Sequence, residues 1–152
     1  MGQPTSMRIT DLPGHLIRRL HQLSTQVFSQ RVKDAGFDLT PIQFAALDAL
    51  AANPDTDQAT LAEAIAKDRA TIGGVVDRLE QKGLLVRQVS ATDRRARTLR
   101  LSDEGTAVLT ALAPVVLKLQ REILPELSDA EYRQFITLAA KAAHAAQSGT
   151  TK

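Results

Sequence analysis

The chain has no cysteine, which excludes disulfides, thiol catalysis and metal sites built on thiolates. It has no apolar run of the length a bilayer crossing needs, and its first residues lack the features of a secretory leader. The cytoplasm is therefore the expected compartment. Gly2 and Ser6 stand at myristoylation spacing, but no basic anchor accompanies them, so residues 1–12 are read as a loose arm. Metal-ligand groupings, nucleophile motifs and phosphate-binding loops are also missing. His15, His21 and His144 are scattered along the chain, with no aspartate constellation to gather them into a reaction centre. What is present is 152 residues with a 43% apolar fraction. That suffices for one cooperative core, with helical extensions able to pack on another subunit.

Residues 60–101 organise the rest. Thr60 and Glu63 stand at capping-box spacing, and Leu61, Ala64 and Ile65 supply the apolar face of a short helix,. Asp68 can cap a second helix, in which Ile72, Val75, Val76 and Leu79 recur on one side,. Gly83 suits a left-handed stop. The period then shortens, so that 84–90 and 97–101 read as paired strands with a polar, arginine-bearing tip. Two helices and then a ribbon make a winged helix-turn-helix, which puts its second helix in a major groove and its ribbon tip beside the minor groove. Residues 60–100 hold nine Lys/Arg against five Asp/Glu, while the rest of the chain holds ten against twelve. Positive charge is thus concentrated where this unit would meet phosphates.

With the apolar stripe of the second helix turned inward, Arg69, Thr71, Gly73, Gly74 and Arg78 occupy its outer side,. Arg69 lies at the helix entrance, where free backbone N–H groups also favour phosphate. Thr71 can reach a base edge or a thymine methyl, and Arg78 suits a phosphate. Two helical glycines cost roughly 1 kcal/mol each relative to alanine. Close approach to the groove wall would account for that cost; tolerance of a locally flexible helix is the competing explanation. On the ribbon, Asp93 can orient a neighbouring arginine. Arg95 is the expected minor-groove contact, and Arg94 and Arg97 assist at phosphates or brace the tip,.

Upstream, a helix starting at Pro13 carries Leu16, Leu20, Leu23 and Val27 on a stripe that is widened by Ile17, Phe28 and Val32,. Ala35-Gly36 ends it. Thr40, Pro41 and Gln43 open another helix,. Downstream, Ser102 caps a helix that Pro114 should bend or interrupt, and Ser128 with Glu131 opens a last helix running to about 146,. These outer helices are more than a minimal reading head needs, so they are expected to pair two subunits, with an intrachain cap as the alternative. The fold class is mainly α with a small β ribbon. Its expected parts are the arm (1–12), a first dimerisation helix with a ligand edge (13–35), the winged lobe (40–101), C-terminal dimerisation helices (102–146) and a tail (147–152). On the first helix, His15, Arg18 and Arg19 share a face. They could hold a carboxylate, or simply cover apolar surface and expose their heads. A nucleic-acid-dependent enzyme and a helical adaptor remain as other classes; binding to a specific duplex separates the regulator from both.

The run D-R-A-T-I-G-G-V-V-D-R-L-E-Q-K-G-L-L-V-R from Asp68, followed by D-R-R-A-R-T-L-R-L-S-D-E-G ending at Gly105, resembles the MarR family of bacterial winged helix-turn-helix regulators. The family's wing pattern, an aspartate and then an arginine two positions on, falls on Asp93 and Arg95, and its recognition-helix entrance on Asp68 to Thr71. Gly73-Gly74 departs from the pattern, since relatives often place larger reading side chains there. The resemblance implies a homodimer on a pseudo-palindromic operator in double-stranded DNA, usually repressing transcription, and in many members released by a small aromatic compound. Residues 13–21, P-G-H-L-I-R-R-L-H, resemble the start of members governing aromatic-acid degradation, which implies His15, Arg18 and Arg19 as effector contacts. Among these it is most similar to a repressor of nicotinate degradation. That implies no fixed cofactor and a hydroxylated nicotinate as effector, with benzoate or cinnamate derivatives as alternatives. The missing cysteine argues against the thiol-based peroxide-sensing branch.

Overall fold

The computed structural model describes residues 8–65 and 68–148. Most of the expected arm and the end of the expected tail lie outside them; within the arm, Ile9–Asp11 form a 3-10 turn. Six helices and one two-stranded sheet follow: α1 (Pro13–Asp34), α2 (Pro41–Ala52), α3 (Gln58–Ala64), α4 (Arg69–Gln81), β1 (Leu85–Val89), β2 (Arg97–Leu101), α5 (Asp103–Ile123) and α6 (Asp129–Ser148). This is the mainly helical fold with a β ribbon that the periodicity predicts.

Most helix starts are set by local hydrogen bonds. Thr40 and Gln43 form a reciprocal capping box at α2, so two N-terminal donors are satisfied at once,. Ser102 Oγ accepts the Gly105 N–H ahead of α5, and Ser128 and Glu131 exchange bonds ahead of α6. Gly36 and Gly83 sit at φ +87° and +73°, the left-handed stops expected after α1 and α4. One start departs from expectation. The Thr60–Glu63 box does not form, because the Asp57 carboxylate accepts the Thr60 N–H at 2.7 Å and α3 begins at Gln58. A carboxylate three residues upstream outcompetes a hydroxyl, and the earlier start turns Ala62 inward and leaves Ala64 exposed,.

The core lies behind α4 and the ribbon. Ile72, Val75, Val76 and Leu79 of α4 are all buried, together with Leu47 and Leu50 of α2, Leu61 of α3, Leu85 and Leu99 of the strands, and Leu112 and Leu119 of α5. The strands are antiparallel, with Arg87 opposite Leu99, and Leu99 N–H also bonds to the Thr56 carbonyl at 2.8 Å. That bridge ties the ribbon to the α2–α3 connection. α5 runs through Pro114 as one helix; the missing proline N–H withdraws only the donor that the Thr110 carbonyl would have had.

Gly105 is required by packing. A Cβ there would stand 2.9 Å from the Leu84 carbonyl carbon and closer still to its oxygen. Gly105→Ala is expected to destabilise the fold by about 1–3 kcal/mol through forced backbone movement, measured as a lower urea midpoint with an unchanged slope.

α1 packs along α5, where Arg31 pairs with Glu122, and it buries Phe28 and Val32 in the core, the Phe28 ring edge-on to Phe44 of α2. α6 buries none of its described residues and makes only sparse contact with the rest of the chain. It is joined to α5 by Arg121, whose guanidinium lies 4.3 Å from the Tyr132 ring centroid and donates to Asp129 at 2.8 Å.

Candidate nucleic-acid interface

α4 owes its position to the apolar stripe that anchors it and to the cap at its entrance. Asp68 Oδ1 accepts the Thr71 N–H at 2.8 Å, and Thr71 Oγ1 donates to the same oxygen at 2.9 Å. These bonds, the backbone one foremost, hold the Asp68 carboxyl below the ordinary aspartate range,. Asp57 is lowered in the same way, chiefly by the Thr60 N–H, with nearby Arg69 as a smaller contributor. The cap narrows what Thr71 can do. Its hydroxyl proton is already committed, so it can accept from a base amino group or offer its methyl, but it has no proton left to donate.

The outer side of α4 matches the sequence expectation. Arg69, Thr71, Gly74 and Arg78 are exposed and Gly73 is half-buried. A Cβ on Gly73 would make only ordinary contact with Gln58 Nε2, at 3.5 Å, and one on Gly74 would meet nothing within 4 Å. Intrachain packing therefore requires neither glycine. Arg78, Thr71 and Gly74 line a cleft of about 280 Å³ with Ile42 and Gln43 of α2 and its capping residue Thr40.

At the ribbon tip, Asp93 Oδ1 accepts the Arg95 N–H at 2.9 Å, and the Ala96 N–H bonds back to the Asp93 carbonyl at 3.1 Å. Asp93 thus acts on the backbone of Arg95, closing an Asx-type turn. Arg94, Arg95 and Arg97 are all exposed.

Salt bridges divide the basic residues of this unit into two groups. Lys82 pairs with Asp38, Arg87 with Asp77 and Glu80, and Arg100 with Asp55. Arg69, Arg78, Arg94, Arg95 and Arg97 form no salt bridge among the described residues, and these are the five arginines the sequence pattern places toward DNA. Sequence reasoning missed the paired group. Asp55 and Arg100 are 45 positions apart and meet through two bonds of 3.0 and 2.6 Å, a juxtaposition no local pattern announces. Asp55 is also the one non-glycine residue at positive φ, +60°, among the described residues, which gives its carboxylate the angle to reach β2.

Of the proposed effector contacts, His15 and Arg18 come together. Arg18 Nη2 lies 3.1 Å from His15 Nδ1. Since a guanidinium can only donate, Nδ1 accepts and the imidazole proton sits on Nε2, free to donate elsewhere. Arg19 is exposed on the same helix, without a salt bridge among the described residues. An apolar cavity of about 460 Å³ opens one to three turns further along α1, between Leu20, Leu23, Val27, Ile123, Leu127 and Phe135; His15, Arg18 and Arg19 are not among its walls.

A capped helix with its apolar side buried, a shorter helix before it and a basic ribbon beside it defines a winged helix-turn-helix DNA-binding protein,. The MarR family model matches residues 37–96. The chain is 35% identical over 127 residues to the HTH-type transcriptional repressor NicR of Pseudomonas putida, an overlap of 84% of this chain and 79% of that protein. Among solved structures, PcaV of Streptomyces coelicolor in complex with its natural ligand superposes with a TM-score of 0.82 at 35% identity, covering 96% of this chain and 99% of that one. BpsR of Bordetella bronchiseptica, whose DNA binding is regulated by 6-hydroxynicotinic acid, gives 0.83 at 28% identity, covering 90% and 96%. The chain belongs to the MarR family and is a DNA-binding transcriptional regulator, not an enzyme. No helix among the described residues is long and apolar enough to cross a membrane.

Proposed function

We propose that this protein is a homodimeric repressor of aromatic-acid catabolic genes that leaves its operator when a small aromatic carboxylate binds, with a hydroxylated nicotinate as the first candidate. The observation that carries the DNA-facing half is the division of arginines. Among the described residues, Arg69 and Arg78 on α4, and Arg94, Arg95 and Arg97 on the wing, form no salt bridge, while Arg87 and Arg100 are locked by carboxylates. Unpaired guanidinium groups keep their full attraction for phosphate and for a narrow minor groove. In this reading α4 enters the major groove through Thr71, with Gly73 and Gly74 allowing its backbone close to the bases, and Asp93 shapes the turn that presents Arg95.

The pairing of two subunits is supported by apolar surface that one chain leaves bare: Ile17 is 66% exposed on α1 and Leu138 58% on α6. The winged lobe, 40–101, then reads DNA, while 13–35 and 102–146 pair the copies and set the spacing of the two lobes on a pseudo-palindrome. The effector half rests on the His15–Arg18 pair with Arg19 beside it, and on similarity to BpsR. A carboxylate takes two parallel bonds from a guanidinium and a third from His15 Nε2–H. Such a ligand releases DNA only to the extent that it binds the DNA-incompatible lobe spacing more tightly.

Calorimetric titration of 6-hydroxynicotinate into the free protein and into its operator complex tests this coupling. Affinity is expected to be higher for the free protein, and Arg18→Ala should weaken it by roughly tenfold or more, through loss of the charge-assisted two-bond contact. Equal affinity for the two forms, or an unaffected Arg18→Ala variant, would refute the effector assignment.

A further inference from the structure

Arg87 lies within the basic stretch, yet its geometry turns it away from DNA. It follows Leu85 on the same face of β1, the face that packs on α4,. Its Nη2 donates to Asp77 Oδ1 at 2.6 Å and its Nη1 to Glu80 Oε1 at 2.8 Å. Asp77 and Glu80 are three apart on α4, so one planar fork spans two successive positions of the helix face. Asp77 also adjoins Arg78. Two carboxylates on a helix that must approach phosphates are electrostatically unfavourable, and nothing in the packing of α4 requires them, since both are exposed. Their evident use is to receive Arg87. Across the ribbon Arg87 stands opposite Leu99, whose N–H is held by Thr56, so the clamp joins a ribbon already tied at its other side.

We infer that Arg87 is a positioning residue. By clamping β1 to Asp77 and Glu80 it sets the angle between wing and recognition helix, so that Arg95 and Thr71 reach their grooves in one arrangement. This rests on the DNA-facing geometry proposed above. The clamp acts on specific binding, which needs both elements in register, and not on the general attraction for phosphates.

The test uses the full-length dimer and a duplex that the wild-type protein enriches from a random pool, with a scrambled duplex as control. Asp77→Asn with Glu80→Gln removes two negative charges near DNA, so simple electrostatics calls for tighter binding to both duplexes. The clamp calls instead for roughly tenfold weaker binding to the enriched duplex, with the scrambled one unchanged or bound more tightly. Combining these changes with Arg87→Ala should add little to either loss, because all three remove one interaction. Unchanged or tighter binding to the enriched duplex would overturn the inference. So would equal weakening on both duplexes with a lowered melting temperature, which marks a merely structural role. If the wild-type protein enriches no duplex at all, the DNA-facing reading fails, and the clamp with it; enrichment by the wild type with indifferent variants removes the clamp alone.

Discussion

Arg95→Ala is expected to weaken operator binding by roughly thirtyfold or more, since a dimer loses both wing contacts at once and each is worth about 1–3 kcal/mol. The substitution should leave the fold alone: the side chain is exposed, and the turn is held by the Arg95 N–H bond to Asp93 Oδ1, which alanine retains. Two signatures accompany the loss. The dependence of affinity on salt should become shallower, by about one ion-release step per wing. Discrimination in favour of A·T-rich flanks should also fall, because a guanidinium prefers a narrow minor groove. Arg100→Ala offers a contrast. Its guanidinium is engaged by Asp55, so any effect it has must pass through the seating of the ribbon. An Arg95→Ala protein that binds its operator with unchanged affinity across a salt titration would remove Arg95 from the interface.

The second large effect is expected from charging the bare apolar faces. Ile17→Glu with Leu138→Glu places carboxylates on surfaces of α1 and α6 that the described residues leave largely exposed. In an isolated subunit those positions face water and the substitutions are nearly neutral; in a dimer interface they bury unpaired charge at a cost of several kcal/mol. Light scattering should show a monomer with unchanged helicity. Operator affinity should fall by about 10²- to 10⁴-fold, because the second half-site is no longer bound intramolecularly. Binding to scrambled DNA should suffer far less, since α4 and the wing of each subunit remain intact. A dimer that survives both charges would place subunit contact elsewhere, or show α6 to be an intrachain cap.

The two effects fail in different ways. Loss of Arg95 removes a contact while both lobes stay correctly spaced, so the salt dependence changes. Loss of the dimer halves the contacts and also removes the geometry that lets an effector act. A monomeric variant should still bind the carboxylate wherever His15, Arg18 and Arg19 suffice, but without any coupling to DNA.

Several elements could be read from neighbouring residues because their causes are local. The Thr40–Gln43 and Ser128–Glu131 boxes, the stops at Gly36 and Gly83, and the inward stripe of α4 all depend on groups within four positions of one another. Spacing alone encodes such contacts. The start near Thr60 is ambiguous in sequence for a related reason: two capping side chains, Asp57 and Thr60, stand within one turn, and the carboxylate prevails. The outward positions of Arg69 and Arg78 follow from the helical period of α4,.

Which arginines stay free was decided by tertiary structure. Arg87 finds Asp77 and Glu80 only after the chain reverses at Gly83, and Arg100 finds Asp55 only when the ribbon meets the α2–α3 connection. The need for glycine at position 105 likewise appears only when α5 is laid against the Leu84 carbonyl. Hydrophobic spacing can say which side of a helix faces water. Whether a charge on that side is spent on a carboxylate or kept for a ligand depends on what the folded chain brings within about 4 Å of it, where an ion pair forms.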